Sequence, residues 1–139
     1  MKIARAFRIE TGFLLGEGPG SGYRIVRSKD RLNIARHITG TPERPNYHYK
    51  SLASGVADRT MEIFLLTLTP DTGNNELSVH DGEEFLLVTE GSVRVILGDR
   101  QETLEEGDSI HYRARVPHNV TNLSKQEKAV VMAVIYIGR

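Results

Sequence analysis

No cysteine occurs among the 139 residues of this chain. That excludes a disulfide framework, a thiolate metal site and a cysteine nucleophile, and it suits a reducing compartment. Charge excess is missing as well, since 18 Lys and Arg balance 18 Asp and Glu. A nucleic-acid-binding domain shows a basic surplus, so the balance argues against that class. Long hydrophobic runs are also lacking, and nothing approaches the roughly 20 apolar residues of a membrane-spanning helix. The first residues, Met1-Lys2-Ile3-Ala4-Arg5, are too charged and too short-cored for a secretory signal. The expectation is one cytoplasmic domain without membrane attachment, large enough to bury a core unaided by staples.

What is present is a series of short extended segments. Residues 1–15 are the exception: Ile3, Ala4 and Phe7 share one helical face opposite Lys2, Arg5 and Arg8, and Thr11 can cap a turn carrying Phe13, Leu14 and Leu15. Four glycines and a proline in residues 16–22 then form a linker. From 23 to 139 the pattern is strand and turn, with loosely alternating segments at 23–27 and 32–38. Further strands are expected at 46–53, 61–69, 84–88, 93–97, 102–104, 109–112, 118–122 and 129–137. Met61 to Thr69 is nearly continuous in apolar residues and is expected to be a central strand. Many short strands after a single helical stub predict an all-β antiparallel sandwich or barrel.

The stretch Ser78-Val79-His80-Asp81-Gly82-Glu83-Glu84 carries a histidine four positions before a carboxylate, with Asp81-Gly82 as a turn signal. Val116-Pro117-His118 supplies a second imidazole downstream. Two imidazoles and one carboxylate suffice for a mononuclear facial metal site with positions left open. Glu84, Leu86 and Val88 share one strand face, as do Ser78 and His80. If that face is interior, Glu84 needs compensation, and a divalent cation supplies it.

These residues resemble the cupin superfamily. His80, Glu84 and Gly91 fall at the second histidine, the glutamate and the closing glycine of its first motif, and Gly107, His118 and Asn122 match the second. Ser78 stands where the first motif has another histidine, and Arg113 and Arg115 where the second has proline and glycine. The resemblance implies a cupin barrel of the double-stranded β-helix, or jelly-roll, type. Its metal would be held by His80, Glu84 and His118: Fe(II) in an enzyme, with Zn, Mn or Ni as alternatives. Ser78 would contribute a weak contact or hold a water. Arg113 and Arg115 at the barrel mouth would favour an anionic ligand.

A narrower resemblance joins Tyr47-His48-Tyr49, Met61-Glu62-Ile63-Phe64 and His80-Asp81-Gly82-Glu83-Glu84-Phe85 to the cupin half of bacterial helix-turn-helix–cupin regulators. The 1–15 stub is similar to the last helices of their DNA-binding domain. It implies a small-molecule-sensing, regulatory module and a homodimer. With no recognition helix in the sequence, no specific DNA binding is expected of this chain alone. The segments His80-x3-Glu84-Phe85, Val116-Pro117-His118 and Tyr47-x-Tyr49 resemble iron-dependent hydroxypropylphosphonate epoxidases, which would place Tyr47 and Tyr49 against a substrate. The alternative function is therefore a non-haem iron oxygenase with a two-His-one-Glu site.

Overall fold

A computed structural model describes residues 22–34, 47–53, 55–70 and 76–136. The expected helical stub and nearly all of the linker lie outside the described residues. Among the described residues, nine strands follow a single 3-10 turn at Ser28–Asp30: β1 (Leu32–Ile34), β2 (Tyr47–Ser51), β3 (Met61–Leu68), β4 (Glu83–Glu90), β5 (Val93–Leu97), β6 (Arg100–Leu104), β7 (Ser109–Arg113), β8 (His118–Asn122) and β9 (Ala129–Tyr136). The segment 23–27, read from sequence as extended and strand-like, joins no sheet; its backbone runs irregularly into the 3-10 turn. No helix among the described residues is long and apolar enough to cross a membrane.

All pairings are antiparallel, in two sheets: one of six strands, ordered β1-β2-β3-β9-β4-β7, and one of three, ordered β6-β5-β8. The last strand thus lies at the centre of the larger sheet. Alternation decides which side chains the two sheets enclose, because successive residues of a strand point to opposite faces. On β4 the buried set is Glu84, Leu86 and Val88; on β3 it is Phe64, Leu66 and Leu68; on β9 it includes Val131, Ala133 and Ile135. Val93 and Val95 of the smaller sheet close over them, and Leu66, Leu68, Leu86, Val88 and Val131 form one cluster with these two valines. Tyr47 ties the sheets together: its hydroxyl donates to the Val120 carbonyl across the sandwich.

Asn122 also clamps the two sheets. Its amide donates to the carbonyls of Leu68 at 2.9 Å and Glu127 at 2.7 Å, and its Oδ1 accepts from the Ser124 amide at 2.8 Å. This is the turn-fastening role its position at the end of β8 suggests, not one at a ligand.

The turn between β4 and β5 depends on Gly91. Its φ of +81° is costly for any residue with a Cβ, and an added Cβ would sit 3.0 Å from the Lys128 carbonyl oxygen and 3.1 Å from Ala129 Cα. Both neighbours are backbone and cannot step aside independently. Gly91→Ala is expected to cost about 1–3 kcal/mol and to lower the melting midpoint by roughly 5–10 °C. Circular dichroism melts check this, and an unchanged midpoint would refute the steric reading.

Candidate metal centre

Three side chains converge between the sheets, two of them on strands. His80 ends the segment entering β4, Glu84 is the second residue of β4, and His118 opens β8. The segment before β4 is held to β8 by a two-residue bridge, in which Ser78 N donates to His118 O at 2.8 Å and His118 N to Ser78 O at 3.0 Å. That exchange sets Ser78 and His118 side by side on one face. The backbone amide of His80 donates to the Ala114 carbonyl at 3.1 Å, anchoring the other flank. The spacing of four between His80 and Glu84 therefore spans the Asp81-Gly82 corner, not a helical turn.

His80, Glu84 and His118 are all buried, with side-chain exposures of 6%, 6% and 7%, and one ligand atom from each lies within 4.8 Å of the others. Glu84 Oε2 is 2.7 Å from His80 Nε2 and 3.3 Å from His118 Nε2. The imidazole planes cross at 77° with centroids 5.2 Å apart.

The hydrogen-bond pattern tests whether this set suits a cation. His80 Nδ1 lies 2.9 Å from the Asp81 carbonyl, and His118 Nδ1 lies 2.8 Å from the Val116 carbonyl. A carbonyl only accepts, so each Nδ1 carries the proton. In the neutral rings both Nε2 atoms then present lone pairs toward a carboxylate oxygen, which is itself an acceptor. Three acceptors aimed at one buried point repel unless a proton on one ring or a metal cation sits among them. Fixing Nδ1–H on an outer acceptor is also how a protein orients a metal-ligating histidine. The donor set fits one divalent metal ion.

Glu84 and His118 line a small cavity with about 40 Å³ of free internal space. Its wall contains Tyr47, Tyr49, Ser78, Tyr112 and Asn119 with Leu66, Leu86, Val120, Ala133 and Ile135, so both sheets contribute. The structure thus brings Tyr47, Tyr49 and Ser78 to the cavity beside Glu84 and His118. It does not bring Arg113 or Arg115 there. Arg113 follows the inward Tyr112 on β7, so alternation turns it outward; its side chain is 81% exposed and lies 4.0 Å from Glu83. Arg115, 69% exposed in the following turn, lies 3.7 Å from Asp81. The anion-binding role expected of the two arginines finds no support in their placement.

Two wall residues went unread in the sequence. Tyr112 donates its hydroxyl to Glu84 Oε1 at 2.6 Å, and Asn119, 4% exposed, lies with its Oδ1 3.4 Å from the Tyr47 hydroxyl. The signal for Tyr112 is its inward parity with Ile110 on β7. That signal becomes usable only once β7 is known to pair with β4.

A two-sheet antiparallel jelly roll holding two histidines and a glutamate on its inner face defines a β-sandwich domain with a candidate metal site. The Cupin domain family profile matches residues 64–135, a little over half of the chain. The chain belongs to the cupin family.

Solved structures agree on the fold. Hydroxypropylphosphonic acid epoxidase from S. wedmorenis superposes with a TM-score of 0.68 at 22% identity, over 83% of this chain and 60% of that one. A structure described as FeII HppE gives 0.68 at 22% identity, over 87% and 64%. An HTH_3 family transcriptional regulator from Vibrio cholerae gives 0.57 at 25% identity, over 68% and 52%. This chain therefore spans less than two thirds of the length of these neighbours. A search of curated protein sequences returned no match.

Proposed function

We propose that this cupin domain binds one divalent metal through His80, Glu84 and His118 and uses the open side of that metal to sense a small molecule, as the effector module of a transcriptional-regulator-like protein. The observation that carries this reading is the composition of the cavity wall. Beyond the metal ligands, the described wall residues include no carboxylate, imidazole or amine. Such a pocket can recognise a ligand through a bound metal and hydroxyl groups, and the only proton-transfer groups it adds to the ligands are weakly acidic phenols. The likeness to the HTH_3 family regulator, together with the amphipathic 1–15 segment and glycine-rich 16–22 that precede the barrel, supports the regulatory role.

A second reading is favoured by the open coordination positions that a three-ligand set leaves, and by the fold shared with the epoxidase. Iron(II) bound by two histidines and a carboxylate supplies redox chemistry toward dioxygen, whereas zinc supplies Lewis acidity. In this reading the same three side chains hold the metal, while Tyr47, Tyr49 and the apolar wall orient the substrate and limit water.

One experiment separates the two. Protein reconstituted anaerobically with Fe(II) is titrated calorimetrically with a panel of small carboxylates, phosphonates and amino acids, and oxygen uptake is recorded for each compound on readmission of air. Saturable binding without substrate-dependent uptake is the expected result. Uptake stimulated by a bound compound would instead establish the oxygenase, and a panel without any binding would remove the sensing role.

A further inference from the structure

Glu84 has two oxygens, and the fold treats them differently. Oε2 is the atom shared by the two imidazole nitrogens, at 2.7 and 3.3 Å. Oε1 is engaged by Tyr112, whose hydroxyl lies 2.6 Å away, in the range of a charge-assisted O–H···O⁻ bond. The contact follows from register: Glu84 and Tyr112 are direct partners across the β4–β7 ladder, so their side chains leave the sheet on the same, interior face. The Tyr112 ring also lies against His118, centroids 4.9 Å apart and tilted by 37°. One residue thus touches two of the three ligands from a third strand, and it forms part of the cavity wall.

We infer that Tyr112 is a positioning residue that confines Glu84 to one-oxygen ligation and thereby keeps a coordination position open for an external ligand. A carboxylate can bind a cation through one oxygen or two. With Oε1 held by the phenol, only Oε2 is available to the metal. Without that hydroxyl, Oε1 loses this donor and can turn to the same ion, filling the position an incoming molecule would use. The ring, by contrast, braces the His118 imidazole whether or not the hydroxyl is present. Tyr112 therefore governs ligand access at a metal site it does not itself ligate. The inference rests on the metal-binding reading above.

The test uses Co(II) as the metal and azide as the external ligand. Wild type, Tyr112→Phe and Tyr112→Leu are loaded with Co(II), metal affinity is measured against a competing chelator, and azide is titrated while the visible spectrum is followed. Tyr112→Phe keeps the ring against His118 and is expected to retain cobalt with an altered visible spectrum, while azide affinity falls at least tenfold. Tyr112→Leu loses the brace as well, and its cobalt affinity is expected to fall by about 10–100-fold. Superimposable spectra and equal azide affinity in wild type and Tyr112→Phe would overturn the inference. Wild type that takes up no Co(II) would overturn the metal-binding reading first, and this inference with it. A measurement without a variant guards against misfolding. In Zn(II)-loaded wild type, one slowly exchanging tyrosine hydroxyl proton should show a nuclear Overhauser contact to the His118 ring. Absence of that proton would also overturn the assignment.

Discussion

His80→Ala or His118→Ala is expected to leave the protein folded and without metal, whereas the wild type holds one ion per chain after reconstitution and desalting. Each imidazole is one of three protein donors gathered among the described residues, and its Nδ1–H is already committed to a backbone carbonyl, of Asp81 or Val116. Alanine brings no replacement donor, and the remaining imidazole and carboxylate make a two-point site. Loss of at least a hundredfold in affinity is expected for each variant. Elemental analysis beside the wild type decides it, and equal metal content in all three proteins would remove the site.

Glu84→Gln sharpens the same test, because its effects on metal binding and on stability diverge. The amide removes the negative charge and most of the metal affinity. In the metal-free protein, however, an amide N–H can donate to the His80 Nε2 that Glu84 Oε2 now faces at 2.7 Å. Replacing a buried carboxylate by a neutral donor relieves the convergence of acceptors, so metal-free stability should hold or rise. The metal-dependent stabilisation should disappear. In the wild type that stabilisation amounts to about 4 kcal/mol when free metal is a thousandfold above its dissociation constant. Thermal melts with and without Zn(II) read both effects. A Glu84→Gln protein that still gains stability from zinc as the wild type does would contradict the role given to Glu84.

The largest effect on folding is expected from Leu68→Ala. Leu68 is fully buried, lies between Tyr47 of β2 and Ala129 of β9 in the sheet register, and packs in the cluster that includes Val93 and Val95 of the opposing sheet. Truncating it removes buried hydrocarbon and leaves a cavity among strands that cannot collapse freely, at a cost of about 2–5 kcal/mol. That is a large share of the roughly 5–15 kcal/mol that stabilises a typical domain. Leu65, three residues earlier on the same strand, points the other way and is only partly buried. Its truncation to alanine should cost less than half as much. Urea unfolding of the two variants checks the pair, and equal losses would mean that the inward face of β3 has been misassigned.

Local sequence carried much of the strand pattern. Val93–Leu97 and His118–Asn122 occupy the expected positions, β3 and β4 differ from expectation by one or two residues at their ends, and β9 follows it as far as the described residues reach. Alternation and turn residues act over a few positions, so a single stretch is enough to reveal them. The three metal-ligand candidates were legible for a similar reason. His80 and Glu84 flank one turn, and His118 follows a proline at the start of a strand, so their chemistry and spacing lie in short segments. The run from Met61 to Leu68 was legible as a strand but not as a face, because residues apolar on both sides leave no alternation to read.

What only the tertiary structure decided is which strands lie together. That β9 separates β3 from β4, and that β7 is the partner of β4 on its other edge, depends on hydrogen bonds between residues far apart in the chain. The outward turn of Arg113 and the inward turn of Tyr112 follow from that pairing, as does the division of Glu84 into a shared oxygen and a held one. Sequence by itself determined an all-β domain with two histidines and a glutamate suited to a metal. The register between β4 and β7 decided the environment of that glutamate, because cross-strand contacts are set by the packing of the whole sheet and leave no mark in either segment alone.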